Sequence, residues 1–250
     1  MSDTEKALEV KSMMKTYING EQITVALNNV SFSLDNGELL VVMGRSGSGK
    51  TTLLNILGTM DKPDNGTVLL HGKPCDNFFD EPYATAYRRE KIGFVFQQYN
   101  LLKDMTAQEN IALPLVMQGL KRSEIESRVK QTMEILEIEP YKNQRPNNMS
   151  GGQQQRVAIG RAIVTKPPVL LADEPTGNLD YATTMSVMDA FVDVKNKMGQ
   201  SCIIATHDPK VATYADRLMI LHDAEVVAEH HRNKSPLSID FVLKQIKKVS

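Results

Sequence analysis

The chain has 250 residues, 41% apolar and 24% charged, with a formal net charge of −1. That composition suits a globular protein with a sizeable core and offers no broad basic field for nucleic acid or an anionic lipid surface. Its most apolar runs, such as Leu39–Met43 and Val169–Ala172, stop far short of the ~20 residues a membrane-spanning helix needs, and the polar start Met1-Ser2-Asp3-Thr4-Glu5-Lys6 is unlike a secretory signal.

In chain order, Leu8–Val10 and Val25–Leu34 alternate apolar and polar residues and predict antiparallel strands with one wet face. Asp35-Asn36-Gly37 marks a turn, and Leu39–Met43 has the unbroken apolar character of a strand buried on both faces. Thr52–Leu57 is compatible with a helix. Asp64-Asn65-Gly66 predicts another turn, before a short strand at Thr67–Leu70. Pro74–Tyr87 reads as a linker with four aromatics, either satellite core packing or a partner contact. Cys75 within it and the distant Cys202 stand in no metal-ligand spacing and read as reduced thiols.

Ser123 with Glu126 forms a capping-box pattern opening an amphipathic helix over 123–138, with Ile125, Val129, Met133 and Leu136 on one stripe. After Ser150 come a helix, a buried strand at Val169–Ala172, a helix over 183–198 and a strand at Ser201–Thr206. Helices alternating with apolar strands predict an α/β fold with a mostly parallel sheet. Ile239, Val242, Leu243 and Ile246, after a possible Ser238 cap, predict a short amphipathic helix that either packs on its own domain or docks on a partner or membrane surface. His230-His231 has no further spaced ligands and reads as a polar pair on the surface, not a metal site.

Gly44-Arg45-Ser46-Gly47-Ser48-Gly49-Lys50-Thr51 matches the phosphate-loop pattern at every fixed position, between a buried strand and a helix. Its glycines let successive backbone N–H groups converge on phosphate oxygens, and the helix adds its positive end. Lys50 is placed for the β- and γ-phosphates and the Thr51 hydroxyl for Mg²⁺, with Thr52 completing the ATP-binding set. The strand at Val169–Ala172 ends in Asp173 and Glu174, and such ends open onto the ligand crevice of a parallel sheet. Asp173 is placed to hold Mg²⁺ and Glu174 to polarise an attacking water. Ser150-Gly151-Gly152 precedes a helix and offers a second anion site. Two such starts per chain, with one γ-phosphate per nucleotide, predict that a second copy completes each site.

With these residues in view, the sequence resembles the ABC transporter nucleotide-binding family. Met149-Ser150-Gly151-Gly152-Gln153 resembles its signature loop, with Met149 where Leu is most usual. Gln97 in Phe94-Val95-Phe96-Gln97 matches the glutamine that contacts Mg²⁺ and the water, and Asn178-Leu179-Asp180 matches the D-loop. His207 matches the switch histidine on the γ-phosphate, and Tyr17 the aromatic that stacks on adenine. The resemblance implies a cassette over 5–228, a phosphate-loop NTPase core carrying an antiparallel β subdomain and a helical subdomain at about 98–160, followed by a tail at 229–250. It implies catalytic roles for Glu174, His207 and Gln97, metal ligation by Thr51, Gln97 and Asp173, and a signature of Ser150, Gly151, Gly152 and Gln153 acting across a head-to-tail ATP-sandwich dimer.

Asp173–Asp180 and Phe94–Leu102 look closest to the macrolide exporter, lipoprotein-release and FtsE-like group. That resemblance implies a bacterial permease partner with four transmembrane helices per protomer, the chain at the cytoplasmic face of the membrane, and export, lipid extraction or mechanotransmission as the work done. Two other readings compete with it. A soluble ABC ATPase acting on ribosomes or DNA usually carries two cassettes or a long coiled coil, neither of which is visible. A module that binds ATP without turnover sits poorly with intact Glu174 and His207.

Overall fold

The computed structural model describes residues 6–75, 77–232 and 236–249. Two long strands, β1 (Lys6–Asn19) and β2 (Gln22–Asp35), pair through a tight turn. They lead into β3 (Leu39–Met43), the phosphate loop and α1 (Lys50–Leu57). Next come β4 (Asn65–Leu70), β5 (Lys73–Pro74), α2 (Tyr83–Glu90) and β6 (Ile92–Val95). A helical layer follows, α3 (Ala107–Met117), α4 (Arg122–Ile135) and α5 (Gly151–Ile163). The chain then alternates through β7 (Val169–Asp173), α6 (Tyr181–Met198), β8 (Ser201–Thr206) and α7 (Pro209–Ala212). It ends in a hairpin, β9 (Arg217–His222) and β10 (Glu225–His231), and α8 (Ile239–Val249).

The central sheet runs β10-β9-β3-β8-β7-β6, parallel from β9 to β6 with β10 antiparallel at its edge. Strand periodicity divides the core in two. Leu39, Val41 and Met43 face a cluster built with α3, α5 and α6, whereas Leu40 and Val42 face α1 and the antiparallel sheet β2-β1-β4-β5. Both faces are covered, which is why these strands read as unbroken apolar runs. Cys202 belongs to the first cluster and Cys75 packs against the second, on opposite sides of the sheet.

Several local expectations change. The helix α4 begins at Arg122 with Lys121 as its N-cap, so Ser123 caps nothing and Glu126 instead accepts from Arg122 Nε at 2.7 Å. The short connection from α3, turned by Gly119 at φ 73°, starts the helix earlier than the Ser-x-x-Glu pattern predicts. The helix also ends before 138, where Glu137 takes a left-handed conformation. Capping boxes do occur at Thr106–Glu109 and Ser150–Gln153. The aromatic linker contains α2; Phe78 and Tyr87 are buried with ring centroids 4.8 Å apart, Phe79 lies beside them, and Tyr83 is exposed. Core packing therefore accounts for three of the four rings; Asp76 lies outside the described residues.

At the C-terminus, β10 runs across the 228/229 boundary. Ser238 accepts through Oγ from Phe241 N at 3.2 Å, and Val242 and Gln245 of α8 are buried while Ile239 and Leu243 remain partly exposed. His230 is half-buried rather than on the open surface: its Nε2 is buried without a hydrogen-bond partner, and its ring meets Phe241 edge-on at 5.2 Å.

One buried ion pair ties the two sheets together. Arg217 of β9 donates through Nε and Nη2 to both oxygens of Glu38, at 2.8 and 2.9 Å, and Nη2 also donates to the Ser33 carbonyl of β2. Both side chains are under 10% exposed, so Glu38 without Arg217 would be a buried uncompensated charge, whereas Arg217 keeps a second partner in Glu229 at 3.1 Å. Arg217→Met is expected to cost about 3 kcal/mol of stability in urea denaturation. Adding Glu38→Gln, which keeps the acceptor for the Asp35 amide at 2.8 Å, should recover most of that loss.

Candidate ATP-binding site

The phosphate loop is shaped by what surrounds it. A Cβ on Gly49, at φ 103°, would stand 2.2 Å from the Ala26 carbonyl oxygen, and one on Gly44 would stand 2.3 Å from that of Leu221. The loop thus passes where only glycine fits, pressed between β2 and β9. The Lys50 side chain is nearly fully buried, and its Nζ donates to the Gly44 and Arg45 carbonyls at 2.8 and 3.0 Å. Burial lowers its pKa, against the opposing pull of the Glu174 and Asp173 carboxylates. Ser48 Oγ is buried and unpartnered, turned into the loop.

Parallel pairing delivers the remaining groups. Met43 is level with Thr206 and Asp173 with Ala205, so Gly44, Glu174 and His207 leave the sheet side by side. Thr51 Oγ1 donates to Asp173 Oδ1 at 3.3 Å. Burial raises the Asp173 carboxyl above the usual range and Glu174 adds to the shift, opposed by the Thr51 hydrogen bond and by Lys50. Glu174 sits at φ 44°, a conformation that favours glycine, with its amide held by the Ala205 carbonyl at 2.9 Å. Its carboxylate meets His207 Nδ1 at 2.8 Å and accepts from Thr206 Oγ1 at 3.2 Å. Glu174 is mostly buried and His207 mostly exposed, so the pair bridges the interior and the open surface.

A cleft of about 760 Å³ gathers Tyr17, Arg45, Ser46, Gly47, Gly49, Lys50, Thr51, Thr52, Gln97, Glu174 and His207. Gln97 follows β6, and its side-chain amide lies against Gly177 beyond β7, while Asn178 Nδ2 donates to its carbonyl at 3.2 Å. Sequence reading missed Thr24 and Ala26, which also line the cleft, and Thr206, which buttresses Glu174. Thr206 carried a signal, since it ends β8 immediately before His207; Thr24 and Ala26 carried none, being brought in by long-range pairing.

Ser150, Gly151, Gly152 and Gln153 do not join this cleft. Ser150 caps α5, its Oγ accepting from Gln153 N at 3.3 Å while Gln153 Oε1 accepts from Ser150 N at 2.8 Å. The turn borders a separate cavity of about 440 Å³ with Thr183 and Arg156. Asp180 caps α6 beside it, accepting from Thr183 N and Oγ1 at 3.1 and 2.6 Å.

These groups fit a nucleoside triphosphate with Mg²⁺. The buried, unpartnered Ser48 hydroxyl and the glycine-only backbone form a cradle of donors. One hydroxyl, one amide and one carboxylate (Thr51, Gln97 and Asp173) fit the sparse protein donor set that suits a magnesium shared with phosphates rather than caged by protein. Among the described residues there is no cluster of three or more His, Cys, Asp or Glu that could hold a metal unaided. Nor is any described helix long and apolar enough to cross a membrane.

Residues 27–177 match the family model for ABC transporters. The chain is 43% identical over 226 residues to the ABC transporter ATP-binding protein MJ0796 of Methanocaldococcus jannaschii, covering 89% of this chain and 96% of that one. A dimeric structure of that protein in a post-hydrolysis state, bound to ADP and Pi, superposes with a TM-score of 0.80 at 41% identity, over 90% of this chain and 99% of that one. The macrolide export ATP-binding/permease protein MacB of Shewanella sp. (strain W3-18-1) is 37% identical over 239 residues, which are 96% of this chain and 37% of that protein. Transport rather than ribosome or DNA work is what these relatives favour. The chain belongs to the ABC transporter family: it is an ATP-binding, ATP-hydrolysing cassette of ATP-driven transport, with ATP and Mg²⁺ as its cofactors.

Proposed function

We propose that two copies of the chain close head to tail around two ATP molecules, the phosphate loop of each facing the Ser150–Gln153 turn of the other, and that this closure drives the permease. The observation that carries it is the separation of two anion-binding helix starts within one chain, in cavities that share no lining residue. The relative that is dimeric with ADP and Pi bound supports pairing of two copies.

In this reading the amides of Gly44–Thr52 cradle the phosphates, Lys50 offsets charge on the β- and γ-groups, and Tyr17 stacks on adenine. Thr51, Gln97 and Asp173 would hold Mg²⁺, which would supply positive charge to offset that of the phosphates. Glu174 accepts a hydrogen bond from the attacking water and polarises it toward the γ-phosphorus; its contact with His207 keeps the carboxylate and the imidazole at the same phosphate. The products are ADP and phosphate. Asp180 orders the start of α6 against the Ser150 turn, so hydrolysis in one copy is felt at the surface that completes the other.

The permease partner carries four transmembrane helices per protomer, with the cassette at the cytoplasmic face of a bacterial membrane. Export, lipoprotein or lipid extraction, or mechanotransmission is the work it drives. The macrolide export relatives are ATP-binding/permease proteins of which this chain spans about a third, which supports a permease as the element that the cassette drives.

Glu174→Gln is expected to bind ATP normally, lose at least about 100-fold in turnover and elute as a dimer in ATP; parent-rate hydrolysis would exclude Glu174 as the water-polarising group. Lys50→Ala and Ser150→Arg should each be inactive alone. Mixed in equal amounts they form heterodimers with one intact site, so ATPase activity should reappear. If the mixture stays silent while the two chains do associate, completion across the dimer is wrong.

A further inference from the structure

Tyr17 stands on an exposed strand, the residue 41% exposed at the rim of the cleft, where β1 pairs with β2 just beyond a register shift. What holds the ring comes from 44 residues along the chain. Its hydroxyl donates to Asp61 Oδ2 at 2.5 Å. Asp61 Oδ1 accepts from Lys15 Nζ at 2.8 Å and from the Lys62 amide at 2.7 Å. Lys15 Nζ also donates to the Lys62 carbonyl at 2.7 Å and lies 5.0 Å from the Tyr17 ring centroid.

The tether is anchored at its other end. The Asp61 amide donates to the Asn55 carbonyl of α1 at 3.3 Å, and Asp64 laces the same segment to β1 through Thr16 N at 2.6 Å and the Met14 carbonyl at 2.9 Å. Asp61 therefore links the ring to the helix that begins at Lys50, holding the phenol by its carboxylate and the helix by its amide, and Thr52 of that helix meets the phenol directly. Partial burial and the Asp61 hydrogen bond raise the Tyr17 phenol above its ordinary pKa, which keeps it a donor. Burial alone would raise Asp61, but the bonds from Lys15 and Tyr17 prevail and keep it ionised.

We propose that Asp61 is a positioning residue for nucleotide binding, holding the Tyr17 ring at a fixed distance and tilt from the phosphate loop, with Lys15 as the counter-charge that keeps the carboxylate in place. The inference rests on Tyr17 being the platform for the base. A ring already ordered loses little freedom when the base arrives, whereas a swinging ring is ordered at the expense of affinity.

The test is steady-state ATPase kinetics and equilibrium ATP binding on the full chain. Asp61→Ala should raise KM and Kd for ATP about three- to ten-fold with kcat at saturating ATP unchanged. Asp61→Asn, still an acceptor, should recover most of that. In a Tyr17→Phe background, which keeps the ring and removes the hydroxyl, Asp61→Ala should add nothing further. Fully additive effects would overturn the tether, as would a fall in kcat with KM unmoved. Should Asp61→Ala fold poorly, Tyr17→Phe alone and Lys15→Met must show the same rise in Kd, and parent affinity in both overturns the proposal. Tyr17→Ala separates the two levels: weak binding there with normal binding in Tyr17→Phe and Asp61→Ala refutes the tether alone, while normal binding in Tyr17→Ala refutes stacking and tether together.

Discussion

Everything at the site depends on β3, β8 and β7 lying parallel and adjacent. Parallel strands end on the same edge of a sheet, and side-by-side pairing of Met43 with Thr206 and of Asp173 with Ala205 leaves the three exits within one residue of level. The loop that begins at Gly44, the carboxylate of Glu174 and the imidazole of His207 are contributed by segments more than 30 residues apart. They meet because the backbone hydrogen bonds of a buried sheet fix their relative height. The helices at either face protect that arrangement by excluding water from its apolar strands.

The parts of the molecule that could be read from the chain are those whose geometry is settled locally. The residues from Leu39 to Thr51 show both their structure and their chemistry, because an unbroken apolar strand, a glycine pattern and a helix start are each local signals. The same holds for Ser150–Gln153, where cap and first turn are neighbours. The Ser123–Glu126 pattern failed because a cap is chosen by where the preceding turn releases the chain, and Gly119 releases it early. The helix at Tyr83–Glu90 was hidden by its polar surface and by aromatics that pack against a distant strand cluster. Thr24 and Ala26 reach the cleft, and Asp61 reaches Tyr17, only through contacts between elements that the sequence does not place side by side.

The distribution of burial across the site follows its tasks. Lys50 lies inside and Asp173 is half-buried beside it, where partial loss of water strengthens interactions with phosphate or metal. His207 and the Ser150 turn face outward, where a second chain can reach them. Glu174 stands between, its backbone strained and its side chain held by Thr206 from within and His207 from without. Such a group changes surroundings when the outer surface is covered, although its own strand does not move.

The division of the core by odd and even positions of β3 carries a consequence for how this chain can vary. Insertion or loss of one residue in Leu39–Met43 would exchange the two sets of side chains between unlike neighbours, one cluster of helices and one largely of antiparallel strands. It would also carry Gly44 off the level of Glu174 and His207. Packing and chemistry therefore share one ruler, so drift along this strand is confined to exchanges of side-chain volume, and changes of length are left to the surface turns.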